Sequence, residues 1–272
     1  MGGRVRHVKS VDPQVLRQRG VTIKSAREIS NMREAGQVVA SVIALLRKAV
    51  HPGVKTKELD LVAAQEIKRL GAKPAFLGYH GFPATICVSV NEEIVHGIPG
   101  SRVVKDGDLV KVDVGAVVDG LFGDAAVTVA AGTPAPGAAE LMAVGEQSLV
   151  KGIEEVRPGA RIGDIGFAVQ KYAESHGYSV VREYVGHGIG RALHEEPQVP
   201  NYGVQGRGLQ LREGMVLAIE PMVNIGTWHT RVLSDQWTVV TEDGSLSAHF
   251  EHTVFVGSNG PEVLTAPLLV GI

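Results

Sequence analysis

Residues 110–130 read VKVDVGAVVDGLFGDAAVTVA, two apolar runs joined at Asp119-Gly120, and the reading of this stretch decides the fold. An Asp-Gly pair between such runs is a strong short-range signal for a two-residue hairpin turn. With Asp119 and Gly120 as the loop, the numbers of paired residues sum to 239, so Asp113 faces Ala126 and Asp124 faces Gly115. Directly opposed residues share a face of the sheet, and so do residues two apart on one strand. The register places Asp113 and Asp124 on one face as diagonal neighbours, roughly 7–8 Å apart at the backbone. Gly115 and Gly123 leave space beside them. Asp119 is a third acid, and the turn accounts for it.

Three further residues occupy equally unfavourable settings. Glu220 ends the apolar run MVLAIE, Glu251 opens EHTVFV, and His187 lies in the glycine-rich GHGIG. An ionised carboxylate in a buried strand is very costly unless it is paired or bound to a cation. Four carboxylates and an imidazole so placed point to a two-metal site, because such donors suit Mn, Fe, Co and Zn. The competing reading for Asp113 and Asp124 is a solvated strand face, against which stand their apolar neighbours Val112, Val114 and Ala116. Pro221 has no ladder donor, so the strand carrying Glu220 is expected to end or bulge there. His249 shares a face with Glu251, where it could support a ligand, whereas His252 points away. His194 follows His187 in GHGIGRALHEEP, and His96 lies in the turn-rich NEEIVHGIPG. Such loop histidines read either as substrate contacts or as idle surface side chains. His80 stands 107 positions before His187 and is a candidate for its counterpart, while His7, His51, His176 and His229 read as surface.

Two halves of the chain resemble each other at an offset near 106. Pro52-Gly53, KTKELDLVAAQEIKRL and Gly71 are echoed by Pro158-Gly159, RIGDIGFAVQKYAESH and Gly177. Asp106-Gly107-DLVKV-Asp113 is echoed by Glu213-Gly214-MVLAI-Glu220, each with an acid six residues after the Gly. Chance similarity with common turn chemistry is the alternative, but several spacings agree, and repeats are read before other features. Apolar spacing near 3.6 predicts helices over roughly 25–49, 56–70, 137–156 and 162–176, with Gly71 and Gly177 closing two of them. Each half then consists of two helices followed by strands. The implied architecture is α+β, pseudo-symmetric, with antiparallel strands inside and helices outside.

Bulk properties restrict the partners. The chain has 272 residues, 44% hydrophobic and 21% charged, enough for one large core or two small ones. Its formal charge of −2 offers no field for nucleic acid, and the only basic excess is Arg4, Arg6, His7 and Lys9, which reads as a solvated tail. No apolar run reaches the roughly 18 residues of a membrane span, and no signal peptide is expected. Cys87 is the sole cysteine, which excludes an intrachain disulfide and fits a reducing compartment. Between Ile86 and Val88 it reads as a small buried hydrophobe, not a nucleophile.

From about Thr22 to Val256 the chain resembles the type I methionine aminopeptidases of the bacterial kind that lack a zinc finger. The motifs that carry the resemblance are YHGFP (79–83), SVNEEIVHGIP (89–99), KVDVG (111–115), GLFGD (120–124), GHGIGRALHEEP (186–197), AIEPM (218–222) and SLSAHFEHTV (245–254). The resemblance implies the pita-bread fold, with residues 1–21 a flexible tail and 22–272 one catalytic domain of two pseudo-symmetric halves. It implies two divalent ions per chain, of Co, Mn, Fe or Zn, held by Asp113, Asp124, His187, Glu220 and Glu251, with Asp124 and Glu251 bridging them. His96 and His194 match the substrate-contacting histidines, and Glu220 the proton shuttle. Tyr79, Phe82, Cys87 and Trp237, with His80 nearby, match the pocket for the methionine side chain. The activity implied is removal of the initiator methionine from nascent chains with a small second residue. A monomer in the cytoplasm near the ribosome exit is implied, with no nucleic-acid or membrane partner. Departures are His249, where some bacterial relatives carry Gln, and Val95, where Cys is common. Two rivals share the fold: proline-specific peptidases, which usually carry a large extra N-terminal domain, and non-enzymatic relatives, which lose ligands that are all present here.

Overall fold

The computed structural model describes residues 20–267. Residues 1–19, most of the segment read above as a flexible tail, lie outside that range, as do residues 268–272. Helix α1 (Ala26–Ala49) opens on a capping box, in which the Glu28 carboxylate accepts from the Ser25 backbone N–H at 2.8 Å and the Ser25 hydroxyl accepts from Glu28 N. Helix α2 (Thr56–Arg69) and helix α4 (Ile162–Ser175) begin alike: Glu58 takes the N–H of Lys55 at 2.8 Å, and Asp164 that of Arg161 at 2.7 Å. Helix α3 (Pro136–Glu154) has proline in its first turn, where no donor is lost. Gly71 and Gly177, just past α2 and α4, take left-handed φ values of 74° and 84°.

The first half continues with β1 (Lys73–Pro74), a 3₁₀ turn (Tyr79–Gly81), β2 (Cys87–Val90), β3 (Glu93–Val95), β4 (Leu109–Val118) and β5 (Leu121–Ala130). The β4–β5 hairpin has the expected register, with Asp113 opposite Ala126 and Gly115 opposite Asp124. Asp119 and Gly120 both have positive φ, 48° and 78°, as the primed hairpin turn requires. The second half holds β6 (Ser179–Val180), β7 (Gly186–Gly188), β8 (Glu195–Val199), β9 (Val216–Ile219) and β10 (Met222–Asn224). After these come β11 (Thr230–Val232), β12 (Val239–Thr241), β13 (Ser247–His249), β14 (His252–Gly257) and β15 (Gly260–Val263). Every ladder between these strands is antiparallel. Helix α1 packs across β4 and β5, and α3 across β9, β10 and β13, so helices cover one face and leave the other to the site. This is the α+β pita-bread arrangement.

The repeat is visible in the pairing. β1 lies on β4 through Lys73–Val117, and β6 lies on β10 through Ser179–Asn224. β9 and β10 together match β4, interrupted at Glu220-Pro221 where the proline removes a donor. Met222 opposes His249 and Ile219 opposes His252, so one register runs through the break and sets Glu220 opposite Glu251. Where the first hairpin has two turn residues, the second has the long excursion carrying β11 and β12. One expectation fails here. In β2, Ser89 pairs with Lys111, two residues before Asp113; in β7, His187 pairs with Ala218, two residues before Glu220. The topological counterpart of His187 is therefore Ser89. His80 instead sits exposed in the 3₁₀ turn, because the connections leading to β2 and β7 differ in length.

The halves meet along a seam between β5 and the β13–β14 strand. Glu251 N donates to Ala126 O at 3.0 Å, and Ala126 N donates to Glu251 O at 3.4 Å. On either side a threonine replaces the backbone. Thr253 Oγ1 accepts from Asp124 N (3.0 Å) and donates to Asp124 O (2.8 Å), while Thr128 Oγ1 accepts from His249 N (2.9 Å) and donates to His249 O (2.8 Å). The two threonines are pseudo-twofold mates, as are Asp124 and His249. Fully buried Lys111 adds a third tie, its ammonium donating to Asn91 O (2.6 Å) and Ser247 O (3.1 Å). Helix α1 approaches so closely that a Cβ on Gly123 would stand 2.9 Å from Gly36 N. The Thr253→Val substitution keeps side-chain shape and orphans both backbone groups of Asp124. A loss of roughly 1–3 kcal/mol is expected, read as a lower urea midpoint with an unchanged slope.

Candidate metal centre and adjoining pocket

Asp113 lies within β4, Asp124 within β5 and His187 within β7, while Glu220 and Glu251 occupy the breaks between β9 and β10 and between β13 and β14. Strand alternation and the two matched hairpins bring all five into one cavity of about 280 Å³. Ligand atoms of Asp124, His187 and Glu251 lie within 4.8 Å of one another. His187 Nε2 is 3.5 Å from Glu220 Oε1. His249 Nε2 stands behind the acids, 3.8 Å from Glu220 Oε2 and 4.0 Å from Glu251 Oε2.

Electrostatics make this group unstable by itself. Burial pushes the Asp113 carboxyl up to about 7. Asp124, Glu220 and Glu251 are raised well above the carboxylate range, first by burial and then by repulsion from neighbouring carboxylates. Asp113 Oδ1, Asp124 Oδ1 and Glu251 Oε1 are buried with no hydrogen-bond partner. The imidazoles are neutral: burial takes His187 and His249 down to about 3 and His96 to about 4, and it lowers His194 as well. Unpartnered carboxylate oxygens beside a neutral imidazole form a donor set that fits divalent cations of the Mn, Fe, Co and Zn kind.

The other end of the cavity is apolar, lined by Phe76, Tyr79, Phe82, Cys87, Leu193 and Trp237, with exposed His80 at its rim. Phe82 and Trp237 meet edge to face, with centroids 5.1 Å apart. Cys87 pairs with Asp113 across β2 and β4, and burial followed by the nearby carboxylates pushes its thiol pKa far up. A neutral thiol there is a lining group, not a nucleophile. His96 and His194 also line the cavity. His96 has a left-handed φ of 60° and sets its ring edge to face with Tyr184, centroids 5.7 Å apart. His194 Nδ1 is 2.6 Å from Tyr79 Oη, and its ring is 4.2 Å from that of His187. Phe76 and Leu193 were not foreseen as lining residues. The available hints were Gly115, where a Cβ would stand 2.6 Å from the Phe76 ring, and the adjacency of Leu193 to His194.

A buried cluster of acids with a histidine, opening on an apolar pocket, fits the class of metal-dependent hydrolases. The chain belongs to metallopeptidase family M24, whose profile matches residues 30–258. "Methionine aminopeptidase 1" of Bacillus subtilis (strain 168) is 52% identical over 245 residues, covering 90% of this chain and 99% of that one. The methionine aminopeptidase of Clostridium acetobutylicum is likewise 52% identical, over 246 residues, 90% of this chain and 98% of its own. The crystal structure of methionine aminopeptidase from Thermotoga maritima superposes with a TM-score of 0.89 at 49% identity, covering 90% of this chain and 99% of that one.

The acids also set a pH dependence. Ordinary values are 3.8 for Asp and 4.5 for Glu, and the folded metal-free protein holds these protons to higher pH. Above about pH 6.5, where the histidines of the unfolded chain have also lost their protons, the folded chain therefore binds more protons than the unfolded one and stability falls as pH rises; at lower pH the buried neutral histidines oppose the acids, because only the unfolded chain protonates them. Cation binding requires the ionised forms and reverses the trend. Melting of chelator-treated protein is expected to drop between about pH 6.5 and pH 8, with Mn²⁺ restoring it most at the higher pH. Equal metal-free stability at both pH values would contradict the assignment.

Proposed function

We propose that the protein removes N-terminal methionine from peptides and nascent chains whose second residue is small, using two divalent cations held by Asp113, Asp124, His187, Glu220 and Glu251. The observation that carries this reading is the meeting, in one cavity, of unpartnered carboxylate oxygens and a lining of aromatic and sulfur-bearing side chains. The name and near-complete coverage of its relatives point the same way. When bound, the cations supply Lewis-acid polarisation and lower the pKa of water. Asp113, Asp124, His187, Glu220 and Glu251 would hold the cations, with Asp124 and Glu251 on the inner strands between those of Asp113 and Glu220. Tyr79, His80, Phe82, Cys87 and Trp237 enclose the methionine side chain.

His194 and His96, both neutral, hydrogen-bond the scissile carbonyl and the tetrahedral oxyanion. Burial raises the Tyr79 phenol pKa, so its hydroxyl stays protonated beside His194 Nδ1, and in the tautomer that accepts this proton Nε2–H is left as a donor. Glu220, whose carboxyl faces His187 and His249, moves a proton from the attacking water to the departing amine.

We propose a monomer, with residues 22–272 as the catalytic unit. No helix among the described residues is long and apolar enough to cross a membrane. The lone cysteine and the nascent-chain substrate favour the cytoplasm near the ribosome exit.

Protein reconstituted with Co²⁺ or Mn²⁺ is expected to release methionine from Met-Ala and Met-Gly-Met but no residue from Ala-Pro. Failure on both methionine peptides would refute the proposal. Asp113→Ala should lose both metal and activity. His194→Ala should cut turnover by roughly 10²–10⁴-fold with metal content unchanged.

A further inference from the structure

His194 is an exposed side chain on the loop between β7 and β8, so core packing does not set its position. The loop is held by its own next residue and by the segment leading into α1. Glu195 Oε1 accepts from Arg191 N (2.7 Å) and Ala192 N (3.2 Å), closing the loop on itself. Its second oxygen, Oε2, accepts from Lys24 Nζ at 2.8 Å and from the Thr22 hydroxyl, which in turn accepts from Lys24. The ion pair is almost fully enclosed, with side-chain exposures of 1% for Lys24 and 8% for Glu195. The Lys24 stem lies against the Gly190 backbone, where a Cβ would stand 2.2 Å from Lys24 Cε, so a side chain at this point of the loop would displace Lys24. Backbone contacts fix the strap itself: Lys24 N donates to Gly214 O at 2.8 Å, and Val21 bridges Glu196. Arg191 pairs with Glu28 of α1, giving the loop a second anchor.

A buried ion pair is weak support for stability, because desolvation offsets most of its attraction. Here it joins two segments about 170 residues apart at the residue next to His194. We infer that Lys24, acting through Glu195, is a positioning residue that sets the reach of His194 into the cavity. The inference rests on the role of His194 proposed above. Lys24 touches neither substrate nor metal, so its removal alters the placement of a hydrogen-bond donor and spares both binding functions.

The test is a double-mutant cycle on metal-loaded, full-length protein with Met-Ala-Ser as substrate. Lys24→Met keeps the stem and removes the ammonium, while Glu195 keeps Thr22 and the loop amides. It is expected to lower kcat roughly 10- to 100-fold, the scale of a displaced catalytic group, with KM and metal content within about twofold of wild type. In a His194→Ala background the same substitution should lower kcat no further. An unchanged kcat, or an equal loss in both backgrounds, would overturn the inference and leave the pair a purely structural tie. If Lys24→Met does not fold, Thr22→Val enters the same cycle, with a smaller loss that must likewise vanish without His194. A wild-type protein that leaves Met-Ala-Ser intact would instead refute the proposed function, a separate outcome.

Discussion

Four carboxyl groups in one cavity cannot all ionise unless positive charge is brought to them, and most of the structure is arranged around that constraint. Each acid comes from a different strand or strand break, so no local segment can relax the repulsion by turning a side chain outward. The two halves contribute unequally: Asp113 and Asp124 come from an unbroken hairpin, whereas Glu220 and Glu251 come from interruptions in its counterpart. An interruption frees a backbone from its ladder and lets a longer side chain reach the same centre. At the seam, threonine hydroxyls supply the hydrogen bonds that the separated strands cannot give each other, which keeps the acids in register without a continuous sheet.

Burial has opposite effects on the two kinds of titratable group here. It holds protons on the acids and removes them from the histidines. A site of neutral imidazoles facing potential anions is ready to accept cations and to donate hydrogen bonds, and it carries no positive charge of its own that would repel a metal. Lys111 shows the same principle away from the cavity. Its ammonium is satisfied by two backbone carbonyls, and burial lowers its pKa to about 7.

The hairpin register followed from one Asp-Gly turn, and with it the shared face of Asp113 and Asp124. Local turn chemistry and a period of two were sufficient there. The helices followed from apolar spacing and from the closing glycines Gly71 and Gly177. The repeat was legible because its offset stays near 106 through the helices and Asp113. It misled at His80, where the connections before β2 and β7 differ in length and only strand pairing reveals Ser89 as the partner of His187. Phe76 and Leu193 escaped notice because an apolar residue lining a pocket has the same sequence signature as one in the core. The Lys24–Glu195 contact was invisible for another reason: it joins positions 171 apart, and neither residue breaks a local pattern.

The seam between Ala126 and Glu251 has a consequence for how the protein comes into being. The β4–β5 hairpin can close as soon as its own residues exist, since its two aspartates are 11 positions apart. Glu251 lies 138 positions beyond Asp113, and the hydroxyl that satisfies the Asp124 backbone belongs to Thr253. Contacts of such long range form late, because the entropy of closing the intervening chain is lost before they reward it. During synthesis the first pair of acids must therefore wait, hydrated or protonated, for most of the remaining chain to leave the ribosome. On the proposed assignment, metal capture then comes late in synthesis, and a fragment ending before residue 253 lacks the hydroxyl that satisfies the Asp124 backbone.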